Sequence, residues 1–529
     1  MLALLIALLT IFPRARAVKT LVELDYAKYQ GVELSSGINQ WLGIRYAAPP
    51  VGDLRFANPK DPQKEDTIQA ADEPGNACLA TAGGPPGKGT SEDCLFLEVQ
   101  APTKSTTKSR LPVFVFFQGG GFNIGATANV NATSLIQASG MNMVFVSLSY
   151  RVGPYGFLAS SELVKEGSIN NGLLDQRKAL QWVQKYISQF GGDPKHVVIG
   201  GASAGAASVT LHLSAYGGRD DGLFHASAAE SQSFAAIRNI TESQYQYDDL
   251  VKRTGCAQEK DTLACLRGLN STFLQEMNTR DPFPGASGAS LFPYSPVLDH
   301  DFIIDATYTL FDRGNFVKVP AIYGDDTDEG TVFAPRSLET SDESNAFLKD
   351  QFPLLTAAQL SKIDSLYPKG PQYAGANAYW SQASLAYGEM RYTCPGIFIS
   401  SAYDRAGVKS IWNYRYDVTE EVLTAAGYGT THTAEQQALF FSSGSRPSYQ
   451  KGQSNANIVP VLQRYWASFI RSYDPNKHRY KGAPVWQEWT QKGMDRLLFE
   501  VNATTMETVP GPQQERCAYL SGIGPSIRQ

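Results

Sequence analysis

The sequence predicts an α/β protein built on a large, mostly parallel twisted sheet with helices on both faces. Three observations carry that expectation. Short, continuous apolar runs recur at residues 111–117, 143–149, 197–200, 319–324, 410–416 and 497–501, as in strands buried on both sides. Helix-compatible stretches lie between them; in 171–190 the apolar residues Leu173, Leu174, Ala179, Leu180, Trp182, Val183 and Ile187 recur with helical spacing. At one junction a run passes into a helix through a glycine-flanked serine. Strands alternating with helices close into a parallel sheet covered on both faces.

In chain order, residues 18–56 alternate short apolar runs with glycines, which predicts an antiparallel meander at one edge. The parallel strands and their helices follow. The polar and aromatic stretches at 233–313 and 337–387 read as insertions over the C-terminal edge of the sheet, where open α/β sheets bind ligands. No linker, repeat or low-complexity segment divides the chain, so residues 18–529 are expected to form one domain.

Residues 1–17 read as a secretory signal peptide. Residues 2–9 form an apolar core too short to span a bilayer, and Ala15-Arg16-Ala17 fits a small-x-small cleavage site. No later stretch reaches the length of a span, and residues 522–529 are neither an anchor signal nor a retention tetrapeptide. The mature protein is therefore expected to be soluble and secreted, with no stable membrane anchor. Glycosylation sequons begin at Asn131, Asn239, Asn270 and Asn502. The net charge of −5 and the lack of a basic run argue against a nucleic-acid partner. Six cysteines in an exported chain imply disulfides: Cys78 with Cys94 and Cys256 with Cys265 as local staples, leaving Cys394 for Cys517. No Cys/His spacing suggests a metal, and no cofactor is expected.

The glycine-flanked serine lies in Gly200-Gly201-Ala202-Ser203-Ala204-Gly205, after the run 196–199 and before an Ala-rich helical segment. That context makes it a nucleophile elbow: a sharp strand-to-helix turn holds the serine in a strained conformation, and side chains at Gly201 and Gly205 would collide across it. Upstream, Gln118-Gly119-Gly120-Gly121-Phe122 ends a strand in three glycines, which assigns the N–H groups of Gly120, Gly121 and Ala204 to an oxyanion hole. Among six histidines, only His432 follows a strand candidate in a glycine-flanked C-terminal loop, as the order serine, acid, histidine requires. The acid lies after the run 319–324, where Asp328 and Glu329 are both candidates on chemistry alone. Phe122, Tyr155 and Trp380 are candidate pocket walls.

Motifs spread along the whole chain resemble those of the type-B carboxylesterase/lipase family, the cholinesterase-like α/β-hydrolases. They include Gly43-Ile44-Arg45-Tyr46-Ala47, Ser91-Glu92-Asp93-Cys94-Leu95, Tyr150-Arg151-Val152-Gly153, Gly172-Leu173-Leu174-Asp175-Gln176, Phe190-Gly191-Gly192-Asp193-Pro194 and Asp328-Glu329-Gly330. The likeness is closest to secreted filamentous-fungal carboxylesterases. It implies an α/β-hydrolase fold, the same three cysteine pairs, and Glu329 as the acid of a Ser203–His432–Glu329 triad. The implied activity is hydrolysis of small-molecule esters, of short or medium chain and neutral, through an acyl-enzyme. A triacylglycerol lipase, a cholinesterase and a non-catalytic adhesion homologue are the rival readings. Two departures stand out: Ala202 where the family usually has Glu, and Gln118 where it usually has His.

Overall fold

A computed structural model describes residues 19–529, so the expected signal peptide lies outside the described residues. An 11-stranded sheet organises the chain. Its strands are β1 (Val32–Leu34), β2 (Ile38–Arg45), β3 (Phe96–Pro102), β4 (Leu111–Phe117), β5 (Val144–Leu148), β6 (Gly192–Ala202), β7 (Ala226–Glu230), β8 (Ala321–Asp326), β9 (Ile411–Tyr416), β10 (Asp495–Phe499) and β11 (Thr505–Thr508). The spatial order is β11-β10-β9-β8-β7-β6-β4-β5-β3-β2-β1. Strands β5, β4, β6, β7, β8, β9 and β10 pair in parallel. Strand β11 at one edge, and β3, β2 and β1 at the other, are antiparallel. This is the α/β-hydrolase arrangement that the sequence implied.

Side-chain alternation splits each central strand between two cores. In β4, Val113, Val115 and Phe117 face one core and Phe114 and Phe116 the other. The first core is closed by helices α1 (Asn171–Tyr186), α2 (Ala204–Gly218) and α4 (Cys394–Arg405), and the second by α5 (Ile458–Ser472). A further helix, α3 (Trp380–Gly388), is joined to α4 through a single π-helical turn, Glu389–Thr393.

The expected parallel strands are present, with two differences at the edges. The predicted 18–56 meander divides: Leu21–Glu23 and Lys28–Gln30 form a separate small sheet with Ile68–Ala70, while β1 and β2 join the main sheet. Strands β3, β7 and β11 have no counterpart among the predicted runs. β7 reads Ala-Ser-Ala-Ala-Glu, with no β-branched or aromatic residue, and owes its conformation to β6 and β8 on either side.

All three disulfides form as expected: Cys78–Cys94, Cys256–Cys265 and Cys394–Cys517. The last spans 123 residues and joins α4 to the C-terminal helix Gly511–Ile523. On the chain-entropy argument it stabilises by about 5 kcal/mol, against about 3 kcal/mol for the short Cys256–Cys265 loop. Replacing Cys394 and Cys517 together by serine should therefore lower the melting temperature more than replacing Cys256 and Cys265, as calorimetry would read directly.

Candidate active site

The C-terminal ends of β6, β8 and β9 bring the predicted residues to one place. Ser203 follows β6 at φ 57°, ψ −122°, a left-handed conformation that a non-glycine residue adopts only when its surroundings enforce it. The glycines around it enforce it. A Cβ on Gly205 would lie 2.0 Å from the Phe117 carbonyl oxygen, and one on Gly201 2.5 Å from the Gly205 carbonyl carbon. The Ser203 N–H donates to the Glu230 carbonyl at 3.0 Å, tying the elbow to the tip of β7.

The oxyanion loop follows β4. Gly120 and Gly121 take φ 112° and 60°, and a Cβ on Gly120 would strike the Ile124 carbonyl at 2.4 Å. Gly119 packs on the serine itself, with a Cβ there 3.1 Å from Ser203 Cβ. Ala204 is the first residue of α2, so its N–H has no intrahelical acceptor. The Gln118 carbonyl accepts from the Tyr150 hydroxyl at 2.9 Å, and its side-chain amide donates to the Thr127 carbonyl, bracing the loop from below.

The acid and histidine loops are stitched together. The Asp328 N–H donates to the Thr430 carbonyl at 3.0 Å, and Asp328 Oδ2 accepts the Thr430 N–H at 2.9 Å. That leaves Glu329 for the imidazole: its Oε2 hydrogen-bonds His432 Nδ1, and its Oε1 accepts the Asp326 N–H at 2.8 Å. His432 Nε2 is buried and bonded to no protein group. The Thr433 N–H donates to Ser231 Oγ at 3.2 Å, holding the histidine loop beside the strand that holds the elbow. The competing histidines are engaged elsewhere: His212 with Gln176 at 3.0 Å, His196 with the Ile470 carbonyl at 2.8 Å and His225 with the Val197 N–H at 3.2 Å.

The electrostatics follow from burial. Loss of water lowers the His432 pKa; the charge on Glu435 opposes this and that on Arg391 adds to it. Burial raises Glu329, while the Asp326 N–H and the Ser231 hydroxyl pull it down. Asp325, Asp326, Glu230 and Glu435 are also buried close by and raised by desolvation and by one another's charge.

The pocket walls differ from expectation. Phe122 is at the oxyanion loop, packed edge-on against Phe157 at 5.0 Å. Tyr155 instead stacks on Phe56 at 6.1 Å and donates its hydroxyl to Gln275, and Trp380 is wedged between Tyr373 and Tyr428 under Arg336. The aromatics around the reacting groups are others: Phe292, which meets Gly121, and Phe333 and Tyr392, with ring centres 5.0 and 4.4 Å from that of His432. Both insertions close on the site. Asn123 donates to the Gly121 and Tyr294 carbonyls at 2.6 Å, and a Cβ on Gly330 would strike the Ser384 carbonyl at 1.8 Å.

Comparison with known proteins places the whole chain among related sequences and structures. The carboxylesterase family profile matches residues 18–520. The crystal structure of Aspergillus niger EstA is similar with a TM-score of 0.93 and 43% identity, covering 97% of this chain and 99% of that one. Lipase 2 of Geotrichum candidum is 32% identical over 530 residues, 90% of each protein. Secreted lipase 4 of Gibberella zeae is 30% identical over 471 residues, 86% of this chain and 82% of that protein.

Two outcomes are expected. A base that works as neutral imidazole, with a pKa lowered by burial, stays competent in acid, so the acidic limb of kcat/KM should fall below the ordinary histidine value of about 6.5; a pH–rate profile with its limb above 7 would contradict this. Glu329→Gln should cripple turnover while Asp328→Asn stays mild, and steady-state kinetics giving the reverse order would reassign the acid.

Proposed function

The chain belongs to the carboxylesterase family, and from that premise we propose that its carboxylic-ester hydrolase chemistry runs through Ser203, His432 and Glu329. The observation that carries this is the Glu329–His432 hydrogen bond, which leaves Nε2 with no protein partner, together with the strained elbow that presents Ser203. Ser203 Oγ attacks the ester carbonyl as Nε2 takes its proton. The oxyanion is held by the N–H groups of Gly120, Gly121 and Ala204. Collapse expels the alcohol, which receives the proton from His432, and leaves an acyl-enzyme. Water, deprotonated by His432, then releases the acid and restores the serine. Glu329 fixes the imidazole tautomer and stabilises its cation.

We propose short- to medium-chain neutral esters as substrates, and export as a glycoprotein. Three relatives carry "secreted" in their names, and no helix among the described residues is long and apolar enough to cross a membrane. Asn131, Asn270 and Asn502 are exposed and Asn239 half-buried. The loop between Cys78 and Cys94 supports the substrate reading: residues 79–93 contain no helix, no aromatic side chain, four glycines and two prolines. A lid needs an amphipathic face, and a choline subsite needs an aromatic one. The relatives' names, lipases and in one case a secreted triacylglycerol lipase, favour a second reading, a triacylglycerol lipase.

Ser203→Ala should abolish turnover by about 10⁴-fold or more, with folding nearly unchanged; retention of a tenth of the activity would refute the assignment. With a short triglyceride, rates should saturate smoothly through the solubility limit, whereas a jump at that limit would favour the lipase reading. Acetylcholine should be hydrolysed far more slowly than its isosteric neutral ester.

A further inference from the structure

Arg391 is a buried cation without a buried counter-charge. The residue is only 6% exposed, yet no carboxylate among the described residues lies within ion-pair distance of its guanidinium. Its Nε is sealed from solvent and makes no hydrogen bond. What surrounds the charge is aromatic: the Phe292 ring centre at 5.3 Å and that of Tyr392 at 6.0 Å. Burying an unpaired charge is among the costliest things a fold does, and cation–π contact returns only part of that cost. The other deeply buried arginines behave differently: Arg55 pairs with Glu92, Arg151 with Asp175 and Arg496 with Glu507.

Its position is the second observation. Arg391 lies in the π-helical turn Glu389–Thr393, a costly irregularity that recurs at functional sites. Tyr392 packs on His432, and Phe292 touches the oxyanion glycine Gly121 while lying against the guanidinium. The arginine's charge is felt at His432 itself.

We propose that Arg391 is an anion-recognising residue of the substrate pocket, and that the protein hydrolyses esters bearing a free carboxylate, such as monoesters of short dicarboxylic acids, in preference to their neutral isosteres. The guanidinium presents a planar fork that matches a carboxylate with two parallel N–H donors, and in a water-poor pocket that pair outweighs contact with a carboxamide of the same shape. This rests on the esterase reading above and narrows its substrate class: neutral short- and medium-chain esters remain substrates, and those of the same size that carry a carboxylate are turned over faster. The chemistry is unchanged; the carboxylate takes no part in bond making.

Kinetics with paired substrates test it. A dicarboxylate monoester should show a kcat/KM about tenfold to a hundredfold above that of its carboxamide analogue, mainly through KM, and Arg391→Met should erase that ratio, whatever it does to the two absolute rates. Arg391→Lys, which keeps the charge without the fork, should retain part of the preference. A second pair, with the carboxylate on the alcohol instead of the acyl arm, shows which arm the arginine reads. Equal rates for both members of each pair in the wild type, or an equal loss on both in Arg391→Met, would overturn the proposal and leave Arg391 a structural cation. Turnover is not the only readout: adipate should raise the melting temperature of Ser203→Ala and fail to raise that of Ser203→Ala/Arg391→Lys as far. Absence of ester hydrolysis in the wild type would sink the esterase reading, whereas absence of adipate stabilisation would sink the anion site.

Discussion

The site depends on one backbone crossing. Where β6 turns into α2, the chain passes so close to the end of β4 that the Phe117 carbonyl fills the space of a side chain at Gly205. That contact forces the turn to be tight, and the tight turn forces Ser203 into a positive φ. The same crossing places the start of the oxyanion loop against the serine, because Gln118 and Gly119 leave Phe117 directly over the elbow. The proposed nucleophile and oxyanion donors are thus fixed by one packing event between adjacent parallel strands. Glycine is required at 205 because of a carbonyl oxygen, not because of flexibility.

Burial sets the electrostatics behind that crossing. Glu230, Asp325, Asp326, Glu329 and Glu435 share a region nearly free of water, and so many like charges cannot all ionise there. Protons must be shared among them, which leaves His432 facing fewer negative charges than the residue count suggests. The departure at position 202 belongs to this picture. Ala202 pairs in register with Glu230 on β7, so a carboxyl lies across from the alanine on the neighbouring strand. Its Oε1 accepts the Trp466 indole N–H at 3.1 Å, and Tyr414 donates to Glu435 beside it at 3.3 Å. The buried acid is not missing from this side of the elbow; it is carried by a different strand.

What the sequence made legible was whatever is encoded locally. The elbow, the glycine loop and the strongly apolar strands β4, β5 and β6 each announce themselves within about a dozen residues. Strand β7 did not, since alanine and serine become a strand only when both neighbours are in place. The choice between Asp328 and Glu329 was open on chemistry and decided by resemblance; the physical reason is that Thr430, a hundred residues away, engages Asp328 and leaves Glu329 to the histidine. The candidate pocket aromatics could not be ranked for the same reason. Tyr155 and Trp380 look like Phe292 and Phe333 in sequence, and only long-range packing separates core from wall.

The loop closed by Cys78 and Cys94 shows how such packing bears on substrate choice. Its composition argues against a lid helix, and its contacts argue against lid motion. The Thr81 N–H donates to the Asn123 carbonyl and the Thr81 hydroxyl to the Asn123 side chain, both at 2.8 Å. Gln275 holds the Ala80 carbonyl at 2.7 Å, and a Cβ on Gly125 would lie 2.0 Å from the Cys78 carbonyl. Asn123 also holds the Gly121 carbonyl. A swing of this loop would therefore pull on the residue that shapes the oxyanion hole, so opening for lipid and stabilising the reaction would work against each other. A segment that must move is drawn from the weakly held parts of a fold, and this one is fastened at a disulfide, a backbone crossing and a buried asparagine. On the reading proposed above, the fastening of this first loop is the feature that would favour soluble esters over an oil surface.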